Sequence, residues 1–557
     1  MSEFDVDVAV VGGGPFGLML ANELGRRGVS VALFDQKAST ATNPQANATQ
    51  ARTMEHFRRL GFADQIRSLG LPEDFPTDIA YFTRYAGHEL GRFRLPSAKE
   101  AREKVLNLSG SWSAAELPHR VSQKFVEQVL REQAEALPGV SISFGMRMTA
   151  FEDRGDHVTV HVEATDGTGQ KTVTARYLAA GDGARSMVRE TFGFRYEGDQ
   201  GAVRDFFGGR MYAVYLDAPD FYREVPHPPA WMNVTFNRDR RAFMAAVDGK
   251  GEFAFHTQLR PGEDEAAITD EGAIALFRAA VGRPVKARLL AKGSWTAGYA
   301  LVSTGFQRGR VFLGGDAVHL FTPAGGLGYN TAVDDAVNLG WKLAEFIRGT
   351  AGPALLDSYE VERRPAAIRN TGYARGFADS LGGYVAPPEI EDDSAEGETA
   401  RREAGAYLEA HGRAEFNIPG ITFGVRYEGS PIIAPEAGDP PPDAADSYVP
   451  TARPGGRAPH LWLEPGVSLY DRFGFDWTLL QLGPDAPDAT PFAEAAREMG
   501  LRLRVVPIAG AEARDLYEAG LALIRPDQVV AWRGAEAADA RQVLKRALGF
   551  HDAAAQS

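Results

Sequence analysis

Two glycine clusters in this chain of 557 residues carry residue types whose spacing could do chemistry. The first lies within VDVAVVGGGPFGLMLANELGRRGVSVALFDQ, where Gly12, Gly14 and Gly17 stand at G-x-G-x-x-G spacing and Asp35 follows at the end of the next apolar run. Set between two strand-like runs, the first glycine permits a tight turn, the second lets backbone approach a pyrophosphate, and the third lets helix pack close on strand. A diphosphate would rest on the positive end of the helix that opens at Pro15 and Phe16, with Asp35 accepting from an adenosine ribose and Gln36 beside it. An ordinary glycine turn in a βαβ unit is the plainer alternative. The acid at that distance favours a nucleotide.

The second cluster is GGDAVHLFTPAGGLGYNTAVDDAVNLGWKLA, from Gly314 to Ala344. Gly315 and Asp316 fall at the carboxyl end of a strand-like run, where open α/β sheets place ligands. Pro323 to Gly328 offers little side chain to block an approaching ring. Val333, Val337, Gly340 and Ala344 then form a helical stripe, so a helix amino terminus falls near Leu327 to Asn330. Its unpaired N–H groups carry a partial positive charge of roughly half a unit and favour an anion. The pyrimidine edge of a reduced flavin is one such anion, and a phosphate is another; spacing alone leaves both open.

Composition narrows the classes. Sixty basic against 74 acidic residues, a net charge of −14, disfavour nucleic acid or an anionic membrane as partner. With no cysteine, the chain has no thiolate nucleophile, disulfide, Cys-ligated zinc or iron–sulfur cluster, and redox chemistry must come from a cofactor. No metal site is expected. The acidic start MSEFDVDVAV and the lack of a long apolar run imply a cytoplasmic chain.

Elements must position these clusters. Residues 45–70 and 120–136 read as amphipathic helices. From about 205 to 260, strand patterns such as MYAVYLDA, WMNVTFN, AFMAAVDG and EFAFHTQL dominate, as expected for a sheet inserted into the nucleotide fold. The acidic stretch 386–404 reads as an exposed connection, and a Pro-rich stretch precedes a compact tail of alternating strands and helices.

Three separated motifs resemble those of the flavoprotein aromatic monooxygenases typified by para-hydroxybenzoate hydroxylase and phenol hydroxylase: VVGGGPFGLMLANEL with Asp35, AAGDGARSMVRE at Ala179–Glu190, and the second glycine cluster. LLDSYEVERRP at Leu355–Pro365 matches the helix start that follows. The tail, with PGGRAPHLWL and IRPDQVVAWR, is similar to the thioredoxin-like carboxyl domain of the phenol and polyketide hydroxylase branches, here without Cys-x-x-Cys. The resemblance implies an α/β fold: a Rossmann-type FAD-binding domain from 1–75, 105–190 and 290–385, an inserted mainly-β substrate domain from 76–104 and 191–289, a linker at 386–450, and a thioredoxin-like α/β domain at 451–550 that packs or mediates a homodimer.

It also implies roles. Gly14 to Phe16 and Asp35 hold the ADP half of FAD, with Arg52, Arg120 and Gln123 lining the groove. Asp182 serves FAD and the incoming nicotinamide nucleotide, and Asp316 binds the ribityl hydroxyls. Gly326, Gly328, Tyr329 and Asn330 present main chain to the flavin ring, and Pro323 lies beside the site of oxygen activation. Gln45 departs from the arginine usual there, and Asp35 from the commoner glutamate.

The implied reaction consumes NADH or NADPH and O2, forms a flavin C4a-hydroperoxide, and hydroxylates a small phenolic or other electron-rich aromatic substrate. Candidates on the inserted sheet are Tyr212 as a hydroxyl relay, Arg210 to stabilise a phenolate and His256 as a base. Trp231, Phe243, Phe253, Phe255 and Trp295 could wall an aromatic pocket. The alternatives are a flavin oxidase or dehydrogenase on the same scaffold, and a flavin-bearing protein without turnover.

Overall fold

The computed structural model describes residues 4–201, 206–537 and 539–550. Its first sheet is built around Val6–Val11, which pairs in parallel with Val31–Asp35 on one side and Gln170–Ala180 on the other. Val140–Phe144 extends it in parallel past Val31–Asp35, and Val311–Leu313 past Gln170–Ala180. Val8, Ala9, Val10, Val31 and Leu33 expose little or no surface, which is why these strands read as unbroken apolar runs rather than alternating ones. Helices Pro15–Gly25 and Leu327–Ile347 cross so closely that a Cβ on Gly340 would lie 2.5 Å from that of Glu23.

The inserted sheet has seven strands in the order Arg288–Ala297, Gly209–Asp217, Glu252–Gln258, Ala242–Ala246, Met232–Thr235, Ile79–Phe82 and Glu89–Phe93. Its register separates two faces. Ala213, His256, Phe243, Val234 and Tyr81 are successive cross-strand partners and so share one face. Tyr212 pairs with Thr257, and Val214 with Phe255, on the other. Helix Asp270–Val281 covers that second face, its Phe277 ring edge-on to Phe255 at 5.7 Å. The first face is met by Lys124 and Phe125, at the start of helix Gln123–Glu135, and by helix Ala395–Phe416.

Two expectations are corrected. Residues 45–50 are not helical: the chain runs extended, with Thr49 bridging to His119, and the helix begins at Ala51 and breaks at Gly61, whose φ is +84°. The stretch 386–404 is no exposed connection but a 3-10 turn, Pro388–Glu391, running into helix Ala395–Phe416, with Ile390, Ala404 and Leu408 buried in the core of the inserted sheet. Small residues let that helix lie against the edge strand: a Cβ on Gly405 would come within 2.1 Å of the Leu90 carbonyl.

The tail forms a separate four-stranded sheet, Leu503–Ile508, Trp477–Leu482, Leu521–Ile524 and Val530–Gly534. Charged side chains lock it to the nucleotide fold. Arg457 donates to both oxygens of Glu55, and Arg525 to both oxygens of Glu362, all four side chains buried.

Candidate active site

Three loops leave the parallel sheet side by side. Gly12 N–H donates to Phe34 O, Gly181 N–H to Val11 O, and Gly314 N–H to Ala180 O, at 2.7–3.0 Å. Gly12 has φ +104° and a Cβ there would sit 2.1 Å from Gly181 O; a Cβ on Gly17 would sit 1.9 Å from Gly12 O. Around Gly14 nothing lies within 4 Å of the Cβ position. Two glycines are thus required by packing, and the middle one leaves open space at a helix amino terminus. Asp35 accepts from Gly13 N–H at 2.5 Å and from Lys37 N–H at 2.7 Å, which fixes its carboxylate at the strand end. Pro15 starts the helix, Gln36 is exposed on the rim, and Phe16 turns its ring inward beneath Gly181 and Gly314. Phe16 therefore offers the groove its backbone, while its side chain spaces the first loop from the second.

In the second cluster, Gly315 takes φ +61° and its N–H donates to Asp335 at 3.1 Å. Asp316 faces solvent at the floor of the groove, yet so much protein surrounds it that its carboxyl is raised above the usual range. Gly325 and Gly326 both take left-handed φ, and a Cβ on Gly326 would lie 2.8 Å from that of Ala48. Pro323 is exposed. The helix starts at Leu327 with no side-chain cap, leaving the N–H groups of Leu327, Gly328 and Tyr329 unserved by a capping side chain. Asn330 has a further part, played by its side chain. Its side chain accepts from Gln50 N–H at 2.8 Å and donates to Ala48 O and Gly326 O, tying residues 48–50 to the glycine loop.

Several buried polar atoms in this region have no partner: Asp182 Oδ1, Tyr329 OH, Thr49 Oγ1, Asn47 Oδ1 and Ser122 Oγ. Burial raises the Asp182 carboxyl and the Tyr329 phenol. Such groups cost about 1–3 kcal/mol each when left unsatisfied. The donors and acceptors, the vacant space at Gly14 and the uncapped second helix suit one elongated ligand with a diphosphate in the middle and an amide-bearing ring at one end. FAD meets that description. Gln123 braces the groove wall by its N–H to Ala46 O at 2.7 Å and its amide to Glu127 at 2.6 Å.

Four assignments change. The Arg52 guanidinium does not line the groove; it donates to Glu55, Gln528 Oε1 and the Asp527 carbonyl, joining the tail to the nucleotide fold. Tyr212 stands on the sheet face covered by helix Asp270–Val281, its hydroxyl buried without a partner, so it is cut off from the first face by the thickness of the sheet. Arg210 shares the Tyr212 side, is exposed, and pairs with Glu265 and Ser294. His256 does lie on the first face, stacked on Phe243 at 4.5 Å and 9°, but its Nδ1 accepts from Trp295 Nε1–H at 3.2 Å. An indole nitrogen only donates, so the His256 proton sits on Nε2 and the ring offers the site a donor rather than a base. Burial lowers its pKa to about 4.

Residues without a sequence signal complete the site. Asp335, fully buried, receives Gly315 N–H, His319 Nε2 at 2.7 Å and Arg363 Nε at 2.7 Å, a brace directly behind the ribityl-side loop. Burial alone would raise its pKa, but the charges of Arg363 and His319 hold it below the usual range. Glu415, from the helix read as a connection, accepts Gly325 N–H at 2.8 Å and pairs with His411 at 2.8 Å, while Gln50 Nε2 donates to Gly325 O. The glycine loop is therefore gripped from both sides.

A Rossmann-type fold whose second glycine loop faces an aromatic-lined inserted sheet defines the architecture of an FAD-dependent monooxygenase. Residues 5–373 match the FAD binding domain family and residues 451–550 the aromatic-ring hydroxylase C-terminal family. The chain belongs to the FAD-dependent aromatic hydroxylases, a class that typically consumes NADH or NADPH and O2. Tetracenomycin A2 monooxygenase-dioxygenase of Streptomyces glaucescens is 32% identical over 98% of both chains. The rebeccamycin biosynthetic enzyme RebC with reduced flavin superposes with a TM-score of 0.87 at 33% identity, over 98% of this chain and 99% of that one. Aklavinone-11 hydroxylase with FAD and aklavinone gives 0.80 at 28% identity, over 98% and 100%. Among the described residues no group of side chains could hold a metal, and no helix is long and apolar enough to cross a membrane.

Proposed function

We propose that this chain hydroxylates a polycyclic aromatic substrate of the phenol or polyketide type at the expense of NADH or NADPH. The observation that carries the reading is the contact between Glu415 and Gly325, which sets the flavin-side glycine loop against the helix that closes the first face of the aromatic sheet. Relatives named for tetracenomycin A2 and aklavinone, each spanning nearly the whole chain, make fused-ring phenols the first substrates to test.

When bound, FAD would pass reducing equivalents from the nicotinamide nucleotide to O2 and so activate it. The protein's part is to hold and to exclude. The N–H groups of Phe16 and Gly17, at the first helix terminus, would take the diphosphate, and Asp35 would take the adenosine ribose. Asp316 would take the ribityl hydroxyls, Asp182 would serve FAD and the incoming nicotinamide nucleotide, and the helix start at Leu327–Tyr329 would stabilise negative charge on the flavin pyrimidine edge. Pro323, exposed beside that start and lacking an N–H, would offer no hydrogen-bond donor to the ring there. Phe243, Trp295 and Trp231 offer ring surfaces for the substrate and keep water away from the transferred oxygen. The His256 Nε2–H is placed to orient a substrate oxygen.

The test is substrate-stimulated NAD(P)H oxidation with a panel of naphthols, anthraquinones and tetracyclic phenols, run under labelled O2. One labelled oxygen in a hydroxylated product is expected. Oxidation that yields only hydrogen peroxide and dehydrogenated product would mark an oxidase, and a flavin-loaded protein inert to the whole panel would mark a binding protein.

A further inference from the structure

Arg120 is buried and carries a guanidinium for which the described residues provide no acceptor. Only about 5% of its surface is exposed, and among the described residues it makes neither a hydrogen bond nor an ion pair, Nη1 being sealed from solvent. What surrounds it is aromatic: its Cζ lies 4.5 Å from the ring centre of Trp231 and 5.4 Å from that of Phe416. Ring faces attract the charge but leave the edge N–H groups without an oxygen. Glu415 is the carboxylate whose charge acts on Arg120, and its two oxygens are already engaged by Gly325 N–H and His411 Nε2. Burial lowers the Arg120 pKa to about 10, which still leaves it charged at neutral pH. A buried cation with no hydrogen-bonded acceptor is costly enough that it persists where something arrives to pair with it.

Position identifies what arrives. The preceding residue, His119, is paired through its backbone to Thr49, next to Ala48, on which Gly326 sits. Arg120 thus lies beside the flavin-side loop. Both of its ring partners come from outside the nucleotide fold, however: Trp231 leads into the inserted sheet and Phe416 ends the helix that closes it. Arg120 therefore stands between the flavin-side loop and the elements that close the inserted sheet. His256, with its Nδ1 occupied, cannot take a proton there by that nitrogen.

We propose that Arg120 is the anchor for an oxyanion on the aromatic substrate, a carboxylate or an ionised phenol, and that the enzyme selects rings bearing such a group. This rests on the aromatic hydroxylase reading above. A guanidinium pairs such an oxygen through charge-assisted N–H bonds, and the flanking Trp231 and Phe416 rings supply apolar contact to the aromatic body. A neutral analogue would leave the buried fork unpaired, so discrimination is steep.

The experiment uses FAD-loaded enzyme and three probes of similar shape: 3-hydroxy-2-naphthoate, 1-nitro-2-naphthol at mildly alkaline pH where it is ionised, and neutral 2-naphthol. Binding is followed by tryptophan fluorescence and by the flavin difference spectrum. The wild type is expected to bind at least one anionic probe about tenfold or more tightly than 2-naphthol. Which anion is preferred separates carboxylate from phenolate. Arg120→Gln should abolish the preference and Arg120→Lys restore part of it, with FAD affinity and the oxidised flavin spectrum unchanged in both. Should Arg120→Gln weaken FAD binding while the anion preference persists, Arg120 is a cofactor ligand and the proposal is overturned. A wild type that binds no probe, or all three alike, overturns it as well. Labelled oxygen appearing in product from a neutral ring would then uphold the hydroxylase reading while the anchor fails.

Discussion

Arg525 of the carboxyl-terminal module donates from Nη1 and Nη2 to the two oxygens of Glu362 at 2.7 and 2.9 Å, with both side chains fully buried. Glu362 belongs to helix Ala354–Gly383 and also receives Lys342, Asn338 and Ser430. Burial pushes its carboxyl up, but the charges of Arg525 and Lys342 hold it far below the usual range, and burial lowers Lys342 to about 7. A tail without redox cysteines is therefore part of the nucleotide fold's electrostatic interior.

Removing one member of that group should be expensive. Arg525→Met leaves Glu362 and Asp527 short of a cation, and a loss of about 3–5 kcal/mol is expected. The double variant Arg525→Met with Glu362→Met should recover little of it, because Asp527 then still lacks its cation and Lys342 loses its only carboxylate partner among the described residues. Urea unfolding, followed together by tryptophan fluorescence and by release of FAD, measures both. Equal stability of the single variant and the wild type would show the pair to be idle.

The two outer glycines of the first turn and the middle one should respond in opposite ways. Gly14 has φ −86° and open space around it, so Gly14→Val should leave the apoprotein within about 0.5 kcal/mol of wild type while weakening FAD by about tenfold or more. Gly12→Ala meets Gly181 O and a left-handed φ, and should lose about 3 kcal/mol or more before any ligand is added. Flavin fluorescence quenching and urea unfolding of apoprotein separate these effects. Tight FAD binding by Gly14→Val would remove the diphosphate from that position.

Much of this was readable from residue order. The glycine spacings, the apolar strand runs and the tail's strands follow from local sterics and burial, and each appears where the pattern places it. Side-chain destinations were not readable. That Tyr212 and His256 occupy opposite faces depends on the register pairing Ala213 with His256, and a shift of one residue would reverse it. Helix Ala395–Phe416 was hidden by its composition: its buried stripe is Ala400, Ala404, Leu408, His411 and Glu415, helical in spacing but with one large apolar side chain among five. Arg52 is near the groove in sequence, yet its acceptors at Asp527 and Gln528 lie more than four hundred residues away, a pairing that no local pattern encodes.

Tyr212→Phe should leave hydroxylation and its pH profile unchanged within about twofold. The hydroxyl is buried without a partner on the helix-covered face, so its removal should be neutral or stabilising by up to about 1 kcal/mol. Trp295→Phe is the informative contrast. It frees His256 Nδ1 to accept a proton, and should add a titration to the pH dependence of kcat that the wild type lacks. Steady-state rates across the pH range decide it; a Tyr212→Phe rate reduced a hundredfold would return the phenol to the mechanism.

Stability should fall on mild acidification, before the ordinary carboxylates titrate. His56 and His256 are lowered by burial to about 4, and His119 and His460, also by burial, to about 3, all from 6.5. In the unfolded chain these imidazoles protonate near 6.5, whereas in the folded chain they stay neutral until far lower pH. Between those values the unfolded state binds more protons, so their contribution is complete above about pH 6.5 and is lost as pH falls toward 4 and 3. Each histidine contributes a slope of up to about 1.4 kcal/mol per pH unit in that window. Glu55, raised by burial but held at about 2 by Arg457 and Arg52, adds a loss of the same sign below its ordinary value of 4.5. Urea midpoints of the apoprotein at several pH values from neutral down to about 5 should decline steadily, and His256→Phe should remove about a quarter of the slope. A midpoint flat across that range would mean that these rings take up protons in the folded protein, through openings that the packed structure does not contain.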